Sequence, residues 1–199
     1  KNTKVNGFAD KDDVIVVCPD AGRTSWYFDS PIDENYQYES FVAKDLIKHM
    51  DKNYRTIPKR KQRALIGFSM GGHGAITIGL KNQDAYQSIS AFSPISSPIN
   101  CPWGQKALGL YLGDNKETWK EYDSSELLKK GSKLPILVDQ GEADGFLEEQ
   151  LKPEYLLSSA EQSGADVEVR MQPGYDHSYF FISTFIDEHL EFHAAYLNK

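Results

Sequence analysis

Two patterns of apolar residues alternate along this chain. Short runs rich in β-branched and other apolar residues predict five strands, at residues 13–19, 63–68, 88–94, 134–140 and 167–173. Longer segments with apolar residues at helical spacing lie between or after them. The alternation predicts an α/β fold with a mostly parallel sheet and helices on both faces.

Three segments have a clear helical period. They are residues 36–54, 71–81 and about 179–197. His49 falls on the apolar face of the first segment together with Val42 and Leu46, so we expect it to be packed or partly buried.

Residues 93–130 break the alternation. This excursion contains Pro94, Pro98 and Pro102, followed by two weakly helical pieces around Leu108 and Leu127. A long connection between two strands is often a lid or pocket wall, and it can equally be a surface insertion without a role. Since the chain has 199 residues, we expect one domain over residues 1–199 with a lid-like excursion at about 93–130.

Composition narrows the possible partners. The formal net charge is −7 and no basic run is present, which argues against a nucleic-acid partner. No run of about 18 apolar residues exists, so no membrane span is expected. The two cysteines, Cys18 and Cys101, form no disulfide framework, and a cytoplasmic location is the default expectation. Zinc-type Cys/His spacing is absent as well, which gives no support to a nucleic-acid-binding module.

Candidate chemistry begins at Gly67-Phe68-Ser69-Met70-Gly71. This sequence fits G-x-S-x-G, the strand-to-helix turn that exposes a nucleophilic serine. An apolar strand precedes it and a helical pattern follows it, as the turn requires. We expect glycine at both ends of the motif because a β-carbon there would collide with the adjoining strand or helix. The backbone N–H of Met70, at a helix N-terminus, would point toward a developing oxyanion.

A serine nucleophile needs a histidine base and an orienting carboxylate. On this kind of sheet the chain order is serine, acid and histidine, each after a successive strand. His177 follows the last predicted strand. Four carboxylates are candidates for the acid; Asp144 is preferred because its loop can turn back toward His177, and the others are Asp139, Glu142 and Asp176.

The remaining histidines are not expected to be catalytic. His73 follows the nucleophile motif directly and is expected to support the loop. His189 and His193 are four residues apart on the last predicted helix, but the pattern is not H-E-x-x-H and no third ligand is nearby. Neither is expected to bind a metal.

Four aromatic residues are candidate walls of a substrate pocket: Trp26, Trp103, Phe146 and Tyr179. Each neighbours a predicted catalytic loop or the long excursion. Each of them can alternatively be an ordinary core residue.

The segments "GFSMGGHGA", "SAFSPISSPINCPWGQKALGLYLG", "QGEADGFLEEQLKPE" and "GYDHSYFFISTFIDEHLEFHAAYL" resemble the esterase D family, which includes the S-formylglutathione hydrolases. The resemblance covers most of the chain from about Gly67 to Leu197. It implies an α/β-hydrolase fold, Ser69 as nucleophile, Asp144 as acid and His177 as base. It also implies hydrolysis of small acyl thioesters or esters without a cofactor, and often a homodimer.

Residues 14–62 are more similar to bacterial feruloyl and acyl esterases of the same superfamily. The family core has three strands before the one predicted at Val14, and a second oxyanion N–H follows the third of them. Residues 1–12 supply neither, so we expect an N-terminally incomplete domain, with a join of two relatives as the alternative. Two other functions stay open: an esterase for carbohydrate-linked feruloyl or acetyl groups, and a non-catalytic binding scaffold.

Overall fold

The structure is a computed structural model that describes residues 5–22 and 24–197. At its centre is a sheet of four parallel strands in the spatial order β1-β2-β3-β4: Ala64–Phe68, Ser88–Phe92, Ile136–Gly141 and Val167–Gln172. Phe68 pairs with Phe92, and Phe92 pairs with Asp139. The carboxyl ends of the strands therefore meet at one edge of the sheet. Four of the five predicted strands and the mostly parallel α/β fold are confirmed.

Helices connect the strands. In chain order, α1 to α9 are Val5–Asp12, Tyr38–Ser40, Ile47–Asn53, Met70–Lys81, Pro102–Leu112, Lys116–Trp119, Ser124–Leu128, Pro153–Ser163 and Tyr179–Leu197. Shorter turns are the π-helical segments Phe41–Leu46 and Leu147–Leu151 and the 3-10 segments Arg60–Gln62, Pro98–Asn100 and Lys120–Tyr122. None of the helices in the described residues combines the length and apolar character of a membrane span.

Helices cover both faces of the sheet. Side chains alternate along β2, so Ile89 and Ala91 join the core under α4, whereas Phe92 joins a second core with Phe181 and Leu190 of α9. The two clusters bury apolar surface on opposite sides of one sheet, and this confirms the predicted layering.

The prediction of a strand at residues 13–19 is wrong. Residues 14–20 have no regular secondary structure and belong to no ladder in the part of the chain that the structure describes. Ile15, Val16 and Val17 are 48%, 43% and 39% exposed. An apolar β-branched run has strand propensity, but a strand exists only when a neighbour completes its hydrogen bonds. Before this segment lies α1, which the sequence did not predict and whose Val5 and Phe8 pack against the α9 core.

The helix predicted over residues 36–54 is present as three successive pieces: α2, a π-helical segment and α3. Val42 and Ala43 are buried against the core. His49, however, is exposed and hydrogen-bonds only with Asn53 of the same helix among the described residues. The expectation of a packed His49 is wrong. The apolar face was assigned from the α-helical spacing of residues 36–54, and the π-helical segment before His49 changes that spacing.

The excursion at 93–130 is densely packed. Its helices α5, α6 and α7 form a core of their own around Ile95, Leu108 and Trp119, which also takes in Trp26 and Phe28. At the start of α7, buried Asp123 accepts hydrogen bonds from the N–H groups of two first-turn residues, as a helix N-cap does. Met70, which follows Ser69, packs against this core, so the excursion lies beside the candidate nucleophile.

Candidate active site

Ser69 lies in a strained turn between β1 and α4. Its backbone has φ 56° and ψ −118°, in a region that costs a non-glycine residue about 1–3 kcal/mol. The Ser69 N–H donates to the carbonyl of Phe92 at 2.9 Å, and the Ser69 carbonyl accepts from His73 N–H at 3.0 Å. Both bonds hold the turn in place and leave the side chain free to project beyond the sheet.

The glycines around Ser69 differ in what they are needed for. A β-carbon at Gly67 would overlap the backbone of Gly71 and Gly72, and one at Gly74 would overlap the ring of Tyr27. At Gly71 it would meet only the Tyr27 hydroxyl at 3.5 Å, an ordinary contact. The expected collision is thus found at Gly67, and the expectation for Gly71 is wrong.

Asp144 and His177 are hydrogen-bonded to each other. The ring Nδ1 of His177 lies 2.6 Å from Oδ2 of Asp144. Asp144 belongs to the loop after β3 and His177 to the loop after β4, and both loops leave the carboxyl edge of the sheet. Of the other carboxylates considered, Glu142 and Asp176 are exposed. Asp139 is buried and bonded to Arg170.

Several donors surround the Asp144 carboxylate. Burial alone would raise the pKa of Asp144, but hydrogen bonds from His177, from the N–H of Phe146 and from Ser93 outweigh it and lower the pKa below its usual value. The Ser93 hydroxyl also accepts from Nε2 of Gln140 at 3.3 Å. Asp144 is therefore held as an anion.

Sequence reasoning missed Ser93. This serine is fully buried, has φ 40° and follows β2 directly. In the sequence, Ser93 falls within the strand predicted at 88–94 and has no motif of its own. Its proximity to the loop of Asp144 depends on the pairing of β2 with β3.

Two aromatic rings hold the imidazole of His177. Phe68 lies against it at 4.5 Å between centroids, tilted by 33°, and Phe146 meets it edge-on at 5.2 Å. Within the described residues, no hydrogen bond joins the Ser69 hydroxyl to this ring. Such bonds are often long until a substrate is bound.

His73, in the first turn of α4, has a structural role. It is fully buried, its Nδ1 lies 3.1 Å from Oγ of Ser124, and its ring contacts Trp26 and Phe28. Burial lowers its pKa to about 3, so the ring is neutral. These contacts agree with a supporting role for the loop.

His189 and His193 face the sheet from α9. The ring of His189 stacks on Phe92 and hydrogen-bonds to Asp139 at 3.0 Å, while His193 bridges the hydroxyls of two serines of β2. Burial lowers the pKa of both rings, that of His193 to about 3. Across residues 5–22 and 24–197, no three His, Cys, Asp or Glu side chains are placed to hold a metal ion.

A cleft of about 320 Å³ opens at Ser69. Its lining consists of Thr24, Trp26, Ser69, Met70, Ile95, Trp103, Lys106, Ala107, Leu110 and Tyr111. Trp26 is buried and Trp103 is 42% exposed. Two of the four predicted pocket residues therefore line this cleft, and the face of α5 that joins them was not anticipated.

The other two predicted pocket residues lie beside the cleft. Phe146 contacts both Trp103, at 4.9 Å between centroids, and His177. Tyr179 is 78% exposed and its ring is 6.1 Å from that of Phe68. Phe146 joins the cleft wall to the imidazole, whereas Tyr179 lies at the surface.

Comparison with known proteins places the chain in a family. Residues 6–192 match the family model described as "Putative esterase". The chain is 47% identical to S-formylglutathione hydrolase of Arabidopsis thaliana over 166 residues, which is 82% of this chain and 58% of the relative. It is 43% identical to S-formylglutathione hydrolase of Rattus norvegicus over 173 residues, which is 85% of this chain and 61% of the relative. It spans about three-fifths of the length of these relatives.

A solved S-formylglutathione hydrolase from Agrobacterium tumefaciens superposes with a TM-score of 0.82 at 41% identity, covering 87% of this chain and 63% of that one. The agreement confirms the α/β-hydrolase fold expected from the resemblance. Together with the match over residues 6–192, it shows that the chain belongs to the esterase family.

Proposed function

We propose that this chain carries the catalytic machinery of a serine hydrolase that cleaves small acyl thioesters or esters, as S-formylglutathione hydrolases do. The observation that carries the proposal is the 2.6 Å hydrogen bond between His177 and Asp144, formed at the sheet edge where Ser69 opens into a cleft. Nucleophile, base and orienting acid are the three roles that acyl transfer requires.

The hydrogen bond to Asp144 determines which nitrogen of His177 is the base. Since Asp144 is held as an anion, its Oδ2 accepts a hydrogen bond from the Nδ1–H of His177, and Nε2 keeps its lone pair. Nε2 takes the proton of Ser69 as Oγ forms a bond to the acyl carbon. The imidazolium then protonates the leaving thiol or alcohol as the C–S or C–O bond breaks.

Deacylation repeats these steps with water. The same Nε2 takes a proton from a water molecule as the water oxygen bonds to the acyl carbon, and returns it to Ser69 Oγ as the acyl–serine bond breaks. Every proton transfer passes through Nε2 of His177, which exchanges protons with Ser69, the leaving group and the attacking water.

The N–H of Met70 is the proposed oxyanion donor within this chain. Met70 is the first residue of α4, where a helix leaves its N–H groups without an intrahelical acceptor and adds a partial positive charge. One such donor contributes about 3 kcal/mol to the stabilisation of the tetrahedral intermediate.

A second candidate substrate class is carbohydrate-linked feruloyl or acetyl esters. Thr24 and Trp26 belong to the segment most similar to feruloyl-type esterases, residues 14–62, and both line the cleft. Turnover of S-formylglutathione compared with turnover of a feruloyl ester and an acetylated sugar distinguishes the two classes. Higher kcat/KM on the thioester supports the first class.

Ser69→Ala tests the activity itself. We expect the variant to fold and to lose hydrolysis of whichever substrate the wild type turns over. A folded wild-type protein without hydrolysis of any of these substrates would instead support a non-catalytic binding scaffold.

We also propose, on the family resemblance, a cytoplasmic location and assembly as a homodimer. Sedimentation equilibrium tests the dimer: a mass of one chain at all concentrations contradicts it.

A further inference from the structure

Helix α5 presents one face to the cleft beside Ser69. Residues three, four and seven positions apart lie on one face of a helix, and the cleft-lining residues of α5 follow that spacing: Trp103, Lys106, Ala107 and Leu110. Trp103 is 42% and Leu110 66% exposed. Large apolar side chains left exposed beside a reactive hydroxyl form a surface suited to a ligand.

Lys106 is the one charged residue among the described residues that line this cleft. It lies between the two exposed apolar side chains of the same helix face. Within the described part of the chain, its ammonium group makes no hydrogen bond or ion pair. Ion pairs elsewhere in the molecule, such as Lys81 with Glu39, show that acidic partners are available to other lysines of this protein of net charge −7.

The environment of Lys106 favours an anionic ligand. Lys106 is exposed, and a ligand seated over Trp103 and Leu110 would shield its ammonium group from part of the solvent, which strengthens its attraction to an anion. An ammonium group then binds a carboxylate through a charge-assisted hydrogen bond, which is stronger than one between neutral groups.

We propose that Lys106 is a specificity-determining residue that binds a carboxylate of the ester or thioester substrate, away from the reacting carbonyl. The inference rests on the proposed function. The carboxylate can belong to the acyl group or to the leaving thiol or alcohol, and both sources offer the ammonium the same chemistry.

Two matched pairs of thioesters test the inference and separate the two sources. In the first pair the carboxylate is on the leaving thiol: the acetyl thioester of 3-mercaptopropionate is compared with the acetyl thioester of 3-mercaptopropionamide. In the second pair the carboxylate is on the acyl group: a succinyl thioester is compared with the thioester in which the free succinyl carboxylate is replaced by an amide, both made with the same neutral thiol. The measured quantity is the ratio of kcat/KM for the anionic member to that for the neutral member. Lys106→Gln is expected to lower this ratio about fivefold in one pair, and Lys106→Glu to lower it further.

Lys48→Gln is the matched control, because Lys48 is an exposed lysine of α3 outside the cleft lining. It is expected to keep the wild-type ratio. The pair whose ratio responds identifies the side of the substrate that carries the carboxylate. Ratios that Lys106→Gln leaves unchanged in both pairs overturn the inference, as does an equal response to Lys48→Gln.

Binding to the Ser69→Ala variant provides a second readout that needs no turnover. Calorimetry with the same thioesters should give a Kd for the anionic member that rises about fivefold when Lys106→Gln is added. The thermal unfolding midpoint of each variant verifies that it is folded. An unchanged Kd overturns the inference, whereas a Lys106-dependent Kd in a protein whose wild type lacks hydrolysis supports the anion site and contradicts the proposed function.

Discussion

At the scale of single residues, the candidate site depends on the groups that fix one carboxylate. Oδ2 of Asp144 is bonded to His177 and Oδ1 accepts from the N–H of Phe146, and Ser93 also contributes to the lowered pKa of Asp144. The donors keep it ionised although it is buried, and an ionised Asp144 sets the tautomer of His177. Changes at these residues should therefore affect the rate of catalysis more than the binding of substrate.

Asp144→Asn should lower kcat by about 10⁴-fold, because an amide cannot hold the His177 proton on Nδ1. Glu142→Gln is the matched control: Glu142 lies two residues away and is exposed. Steady-state kinetics of both variants test this. Comparable losses in the two variants, or none in Asp144→Asn, would show that Asp144 is not the orienting acid.

Ser93→Ala should lower kcat about tenfold with little change in KM, since the hydroxyl positions Asp144 without lining the cleft. Ser93→Gly separates this effect from backbone strain, because glycine accommodates the φ of 40°. We expect equal losses in the two variants. Recovery of the wild-type kcat in Ser93→Gly would assign the effect to strain instead.

At the scale of elements, the strands and helices that could be predicted are those with a local sequence pattern. The four strands of the sheet and the helix over Met70–Lys81 follow from apolar periodicity and from the glycine-rich turn that begins α4. The strand at 13–19 was predicted wrongly because propensity cannot say whether a neighbour exists to pair with it. Helix α1 was missed because its contacts with α9 join opposite ends of the chain.

The turn between β1 and α4 should tolerate a methyl group at one glycine and not at the other. Gly67→Ala places a β-carbon against backbone atoms and should lower the free energy of unfolding by about 3 kcal/mol or more. Gly71→Ala meets only an ordinary contact and gains helix propensity, so its stability should be unchanged or higher by up to about 1 kcal/mol. Urea unfolding measures both, and equal destabilisation would contradict the geometry of the turn.

Asp139 joins three elements and should make stability depend on pH. Burial would raise its pKa, but hydrogen bonds from His189, Arg170 and Gln172 lower the pKa from 3.8 to about 2. Because the folded-state pKa lies below the unfolded one, this stabilisation is complete above about pH 4 and is lost as the pH falls through about 2. The stabilisation amounts to about 2 kcal/mol.

Urea unfolding of the wild type and of Asp139→Asn between pH 5 and pH 2 tests this. The difference in the free energy of unfolding between the two proteins should shrink by about 2 kcal/mol over that range. A difference that stays constant with pH would mean that Asp139 does not titrate as its contacts indicate.

At the scale of the whole molecule, the candidate site collects residues from segments far apart in the chain. The order of Ser69, Asp144 and His177 could be predicted because each follows a strand of a parallel sheet. The shape of the cleft could not be predicted from the sequence. Its wall combines Trp26 with one face of α5, and the position of that face depends on how the excursion at 93–130 packs. The assignment of residues 1–199 to one domain stays a prediction.

The central claim is that Ser69 is a nucleophile activated by His177, and covalent labelling with a fluorophosphonate probe tests it most directly. Mass spectrometry of the intact chain should show one adduct, located on the peptide that contains Ser69. Ser69→Ala should abolish the adduct, and His177→Ala should slow its formation by orders of magnitude. A folded wild-type protein that forms no adduct, or an adduct that persists in Ser69→Ala, would contradict this role for Ser69.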